Sequence, residues 1–295
     1  MTSSDPLLLG IDWGTTSWRG YLLGRGGRVL ARREADCGLT AIRDRDFAGA
    51  LRTACGDWLD AWPDLPRLAC GMVGSRDGWR EAPYVPCPAD LDVLGRGLVA
   101  VEGLSIVPGL VQTGRPDVLR GEESQILGVV AGDDTDRVLL LPGTHAKWVR
   151  VAGGRVVDFA TAMTGEMYGL LARQSILSRT IAADAPLDEA AFAEGVAAGH
   201  DRGLVDLFGI RALGLLGRMG PAALAARLSG LLIGAEIASF GQDWPGPVTV
   251  IGGAGLSHRY VTALALCGRV AHAAPDDAVA LGLWRIAGSA GLFKE

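Results

Sequence analysis

Two short turns in this chain place glycine and hydroxyl residues at the end of an apolar run. In the first, Asp12 is followed by Gly14, Thr15 and Thr16. Successive backbone N–H groups and two hydroxyls can wrap an anion, while a carboxylate at the strand end can hold a hydrated divalent metal. That chemistry suits phosphate with Mg²⁺, although Gly and Thr also fill ordinary hairpin bends. The second turn, Gly143, Thr144 and His145 followed by Lys147, favours the phosphate reading. Of the 28 Lys and Arg residues only Lys147 and Lys294 are lysine, so one of the two lies inside this motif. Its compact ammonium can act as a point charge on phosphate. A solvated lysine at a strand end is the plainer alternative.

Three other segments carry candidate chemistry. Gly252, Gly253 and Gly255 stand between a strand and a helix whose first turn holds Ser257. Backbone without side chains there can admit the flat face and ribose of a nucleoside, or simply make a tight connection. Gly121 opens a helix with Glu122 and Glu123 in its first turn, where the helix dipole favours acids. Phosphoryl transfer to a hydroxyl also needs a carboxylate to accept the alcohol proton. Ser75, Arg76, Trp79 and Arg80 follow a strand, and Pro83, Pro86 and Pro88 then hold an extended loop. Such a loop suits a sugar acid, because guanidinium binds a carboxylate bidentately. The chain has no Gly-Lys pair of a Walker A motif and no GxGxxG fingerprint, which weakens P-loop and Rossmann readings.

The elements that must position these residues follow from periodicity. Strand-like runs over 7–12, 18–23 and 28–35 are joined by the short connections "WGTTS" and "GRGG", as hairpins are. A helix over 47–62 and a strand over 67–73 complete the set. The same order restarts with strands over 137–143, 147–151 and 155–162. Helices over 166–177, 189–199 and 222–240, the strand "VTVIGG", a helix over 258–267, the strand "RVAHA" and a closing helix over 277–290 follow. Gly14, Thr15, Trp18 and Arg19 are echoed by Gly143, Thr144, Lys147 and Trp148, and Gly-Gly-Arg-Val follows in both places. This points to an internal duplication with its boundary near 117–122.

Size and charge bound the function. A chain of 295 residues with 49% apolar content exceeds one usual domain, so two domains are expected. A net charge of -5 without basic runs gives no footprint for nucleic acid or an anionic membrane. The N-terminus lacks a signal-peptide pattern, so a cytoplasmic protein is expected. The apolar stretch 222–240 carries Arg227 and Glu236, so a buried helix is expected rather than a membrane span. Five cysteines without CxxC spacing read as buried thiols rather than zinc ligands or disulfides.

At these motifs the sequence resembles the 2-dehydro-3-deoxygalactonokinase family of the actin, Hsp70 and sugar kinase superfamily. The likeness covers nearly the whole chain and is carried by "GIDWGTTSWR", "GMVGSRDGWREAPYVPCPA", "RGEESQILG", "LPGTHAKWV" and "TGEMYGLL", in the family's order. It implies an α/β class, duplicated actin-like ATPase (ribonuclease H-like) fold of two domains with a central cleft. Residues 1–118 would carry the first phosphate turn and the sugar-acid loop, and 119–295 the second phosphate turn and the adenosine motif. It implies ATP and Mg²⁺ as cofactors and phosphorylation of 2-dehydro-3-deoxy-D-galactonate at its 6-hydroxyl.

The resemblance also distributes roles. Asp12, Gly14, Thr15 and Thr16 match the first phosphate motif, with Asp12 at the metal. Gly143, Thr144 and Lys147 match the second, and Gly252, Gly253 and Gly255, with Ser257, the adenosine motif. Arg19, Ser75, Arg76, Trp79 and Arg80 form the expected substrate-binding set. The Gly-Asp-Gln motif of related carbohydrate kinases is similar to Gly121, Glu122 and Glu123. Doubling of the acid leaves the base open between the two, with Glu122 in the place directly after glycine. Related polyphosphate phosphatases carry a similar Glu-Glu stretch, so hydrolysis is the competing activity, disfavoured by the sugar loop. A nucleotide-gated binding protein is a third reading, disfavoured by the lack of an appended domain. The stereochemistry at C4 of the sugar acid and homo-oligomerisation stay open.

Overall fold

The computed structural model describes residues 5–90, 93–130, 135–241 and 243–293. Lys294 and residues 1–4 of the N-terminal stretch lie outside them. In chain order the first elements are β1 (Leu8–Trp13), β2 (Trp18–Leu23), β3 (Val29–Ala35), α1 (Phe47–Ala61), β4 (Arg67–Gly71), β5 (Tyr84–Pro86), β6 (Ala89–Asp90), α2 (Val93–Arg96), β7 (Val99–Val101), β8 (Leu104–Ile106), β9 (Gly109–Gln112), β10 (Asp117–Leu119) and α3 (Glu122–Val130). They are followed by β11 (Arg137–Leu141), β12 (Ala146–Ala152), β13 (Arg155–Ala162), α4 (Thr164–Gln174), α5 (Glu189–Arg202), α6 (Leu207–Leu215), α7 (Pro221–Gly241), β14 (Val248–Val250), α8 (Ala254–Leu266), β15 (Ala271–Ala273) and α9 (Ala278–Ser289).

The chain forms two compact units, one of Met1–Asp136, Val151–Asp158 and Asp277–Glu295, the other of Arg137–Arg150 and Phe159–Asp276. Compactness gathers different residues from the contiguous stretches 1–118 and 119–295 into which the repeated motifs divide the sequence. The reason lies in α3 and α9. Gly128 and Gly282 let these helices touch backbone to backbone, since a Cβ on Gly282 would stand 1.7 Å from Ser124 O and one on Gly128 1.8 Å from Ala278 O.

In the first unit the sheet order is β3-β2-β1-β4-β8-β7. β1, β2 and β3 run antiparallel as a meander, while β1, β4 and β8 are parallel. The central strand β1 is apolar and nearly all buried, as a strand covered on both faces must be. Asp46 caps α1 by accepting from Gly49 N–H at 2.8 Å, and Phe47, Leu51 and Trp58 bury this helix against Trp13, Trp18 and Ile106.

The second unit repeats the plan. The second six-stranded sheet runs β15-β14-β11-β12-β13-β6, its first five strands matching β8-β4-β1-β2-β3, with β11, β14 and β15 again parallel. Here α5 and α7 meet through Gly195, Gly199, Gly230 and Gly234; a Cβ on Gly199 would reach 2.0 Å from Leu231 O. Among the described helices α7 alone is long and apolar enough to cross a membrane, yet most of it is buried. Leu228, Leu231 and Ile233 pack in the core, and buried Glu236 accepts hydrogen bonds from Trp148 Nε1 and Tyr260 OH, each at 2.8 Å, and from Thr164. The five cysteines are free thiols; Cys55, Cys70 and Cys87 are buried as expected, while Cys37 and Cys267 are only half-buried.

Candidate active site

In the first unit three backbones converge. Asp12 and Trp13 end β1, and the parallel register sets Cys70 and Gly71 of β4 beside them. Gly71 has φ +94°, and a Cβ there would stand 2.7 Å from Trp13 O. Gly121 has φ +102°, and its Cβ would lie 3.1 Å from Gly71 Cα. Only glycine permits both the left-handed conformation and this approach. The result carries the start of α3, with Glu122 and Glu123, up to the end of β1.

Asp12 is paired across the β1–β2 ladder with Arg19, whose Nη1 lies 3.6 Å from Asp12 Oδ2. Burial raises the Asp12 pKa; Arg19 opposes the rise and the nearby Glu122 adds to it. The turn after it is open on one side. Gly14 N–H closes it on Ser17 O at 2.9 Å, while Gly14 O and Thr15 O accept from Leu39 and Thr40. Thr15 and Thr16 are exposed.

The two glutamates occupy different surroundings. Glu122 is half-buried and accepts from Arg120 N–H at 3.0 Å. Glu123 is fully buried and accepts from Gly121 N–H at 2.6 Å. Burial, reinforced by the charge of Glu122, pushes the Glu123 carboxyl up to about 8. Both therefore cap the helix start, as the helix dipole favours, but Glu122 is the one with access to solvent.

The loop after β4 turns through Met72–Gly74 and is pinned by Trp79 N–H to Val73 O and Ala82 N–H to Gly74 O, each at 2.9 Å. Arg76 and Arg80 are exposed. Ser75 Oγ is buried without a partner among the described residues. Trp79 stacks on Phe47 at 5.9 Å and meets Trp13 edge-on at 6.2 Å, so its half-buried ring packs against the core.

In the second unit the turn between β11 and β12 is held by α4. Glu166 N–H donates to Thr144 O at 2.9 Å, and Gly165 packs so closely that a Cβ would stand 2.3 Å from Gly143 O. Glu166 Oε2 lies 2.5 Å from His145 Nε2. Lys147 is only 5% exposed and donates to His145 O at 2.8 Å, which places its ammonium against the turn rather than in solvent. Gly253 caps α8 and Ala254–Leu256 are exposed, while Ser257 is buried with its Oγ facing Gly252. The helix begins four residues before the expected 258, with Gly253 extended at its N-cap, so Gly255 lies inside it. Thus Asp12, Arg19, Glu122 and Glu123 cluster in one unit, and Gly143, Thr144 and Lys147 with His145 and Glu166 in the other. The sequence reading missed Glu166 and Arg120; a glutamate in a helical first turn and an arginine before glycine give no local signal of their contacts.

Among the described residues no three His, Cys, Asp or Glu form a metal cage. Asp12 fits Mg²⁺ in another way, since that ion is commonly held by one or two carboxylates together with substrate phosphates. A cation would also relieve the raised Asp12 carboxylate.

Comparison with known proteins agrees with this plan. Residues 12–286 match the family described as 2-keto-3-deoxy-galactonokinase. The chain is 39% identical over 288 residues to DgoK1 of Rhizobium meliloti (strain 1021), named as a 2-dehydro-3-deoxygalactonokinase, covering 92% of this chain and 94% of that protein. It is 35% identical over 292 residues to the 2-dehydro-3-deoxygalactonokinase of Escherichia coli (strain K12), covering 95% and 97%. A crystal structure from Sinorhizobium meliloti, assigned to the same enzyme, superposes with TM-score 0.88 at 37% identity over 98% of both chains. A xylulose kinase from Lactobacillus acidophilus, TM-score 0.53 at 11% identity over 98% of this chain and 90% of its own, shares the fold alone. That fold is the actin-like sugar kinase fold.

Proposed function

The chain belongs to the 2-keto-3-deoxy-galactonokinase family, and from that premise we propose that it transfers the γ-phosphate of ATP to the 6-hydroxyl of 2-dehydro-3-deoxy-D-galactonate. The observation that carries the reading is the close approach of Gly121 to Gly71, beside the end of β1, which brings the start of α3 with Glu122 near Asp12. It supplies a carboxylate for metal-bound phosphate and a second, accessible one for the acceptor alcohol. Glu122 takes the proton of the 6-hydroxyl as its oxygen bonds to phosphorus and the bridging oxygen leaves with ADP. Glu123, buried and bonded to Gly121 N–H, supports the helix start.

Asp12 would hold the Mg²⁺ that accompanies the nucleotide, which offsets phosphate charge when bound. In the first unit Gly14, Thr15 and Thr16 offer amides and hydroxyls to phosphate, and in the second Gly143 and Thr144 with Lys147 offer amides, a hydroxyl and an ammonium. Gly252, Gly253 and Gly255, with Ser257, receive the adenosine. Ser75, Arg76 and Arg80, with Arg19 and the loop seated by Trp79, bind the sugar acid. The division at 118 and 119 is proposed as lying ahead of the second run of strands, which begins at Arg137. The cytoplasm, where ATP is abundant, is the compartment this chemistry requires; neither nucleic acid nor membrane enters it.

A coupled assay of ADP release across 2-keto-3-deoxy sugar acids tests the proposal. Turnover should be highest with the galactonate-derived acid, whose C4 hydroxyl alone separates it from the gluconate-derived one. ADP release independent of any sugar acid would return the chain to hydrolysis.

A further inference from the structure

The motif residues leave one buried cation of the first unit without a role. Arg120 directly precedes Gly121 and Glu122 and is 9% exposed. Its Nη2 donates to Ala82 O at 2.8 Å and its Nε to the Tyr84 hydroxyl at 3.4 Å. The guanidinium carbon lies 4.3 Å from the centre of the Tyr84 ring. That ring lies where Gly109 leaves room, since a Cβ on Gly109 would come 2.8 Å from it. Nη1 has no partner among the described residues and sits over Gly74, whose Cβ would come within 2.9 Å of it. The main-chain N–H of the same Arg120 donates to Glu122 Oε2. One residue therefore touches both ends of the loop 74–84 with its side chain and Glu122 with its backbone.

A buried guanidinium is costly, and the contacts that hold this one are a carbonyl, a hydroxyl and a ring face, with the Glu123 carboxyl acting on it only through its charge. A side chain of similar volume without charge would fill the space for packing alone. What the forked cation adds is direction: it fixes where the loop stands relative to the first turn of α3. The acceptor hydroxyl must lie within hydrogen-bond reach of Glu122 while the rest of the sugar acid rests on that loop.

We propose that Arg120 is a positioning residue that holds the sugar-acid loop in register with Glu122, acting through Ala82 and Tyr84. The inference rests on the sugar-acid kinase reading and adds to it the device that sets the acceptor's geometry. A misplacement of about 1 Å can cost up to ~10²-fold in rate, which sets the size of the expected effect.

The test compares Arg120→Met and Tyr84→Leu with the wild type in steady-state kinetics, thermal melting and amide hydrogen exchange. Both variants should lower kcat/KM for the sugar acid by roughly 10- to 100-fold while the KM for ATP stays unchanged. The double variant should be no worse than the more damaged single, because both break one contact. Exchange over 74–84 and at the start of α3 should quicken together. If Arg120→Met does not fold, Tyr84→Leu decides, since Tyr84 is 38% exposed and tolerates change. A folded variant with normal sugar-acid kinetics, or one in which both substrates' KM values rise alike, overturns the inference. A wild type without sugar-acid turnover overturns the functional reading and this inference with it.

Discussion

Around Asp12 the first unit gathers carboxylates, whereas around Thr144 the second gathers a lysine and a histidine, the latter against Glu166. The backbones of the two regions are alike: a strand, a Gly-Thr turn and an antiparallel return strand, in sheets that share a five-strand order. Their furnishings differ because different helices dock on them. Gly71 and Gly121 admit α3, with two glutamates, to the first turn; Gly165 admits α4 to the second. Under the proposed function this one scaffold serves twice, toward metal and proton handling in the first unit and toward phosphate charge in the second.

The contrast is broken most severely at Asp12. Asp12→Ala should lower kcat by about 10³ or more, since a metal site supplies several kcal/mol to phosphoryl transfer. Folding should survive, because burial and Glu122 already disfavour the charge that is removed. Near-normal turnover at saturating Mg²⁺ would show that the first turn does not hold the metal.

Lys147→Ala attacks the cationic side and should lower kcat by roughly 10² to 10³, the range for loss of one electrostatic stabiliser. Its bond to His145 O gives a second expectation, a higher KM for ATP as the turn loosens. A variant unchanged in both would leave Lys147 a purely structural residue.

Glu123→Gln should be mild in kcat and visible in stability. The Glu123 carboxyl is raised from 4.5 to about 8 in the folded chain, so its stabilising contribution is complete below 4.5 and lost as pH rises through about 8. Stability should therefore fall across that window by an amount on the order of a few kcal/mol, and the wild-type melting temperature with it. Asp12 and Glu236, also raised by burial, pull the same way, so the variant's slope shrinks without vanishing. An unchanged slope in melting scans from pH 5 to 9 would mean that Glu123 is ionised in the fold.

The long elements were legible in the sequence. β13 and α7 carry strong apolar patterns and fall within a residue of their expected ends. The sheet β10-β9-β5 was not, because strands of three or four residues have no period to detect. Trp79 illustrates a different limit. A tryptophan in a polar loop reads as binding surface, and only the tertiary fold turns it onto Phe47 and Trp13. Glu122 and Glu123 could be named as a pair from Gly-Glu-Glu, but their unequal burial depends on β1 and β4 arriving beneath α3. Arg120 was hidden for the same reason: its partners Ala82 and Tyr84 lie 38 and 36 residues away.

The central claim is that Glu122 drives transfer to the sugar hydroxyl, and ³¹P NMR of the products formed by wild type and Glu122→Gln tests it most directly. The wild type should convert ATP and sugar acid into equal amounts of ADP and a 6-phosphate ester. Glu122→Gln should bind both ligands by calorimetry yet form the ester about 10² to 10⁴ times more slowly. Inorganic phosphate as the main wild-type product, or an undiminished rate in Glu122→Gln, would contradict the account.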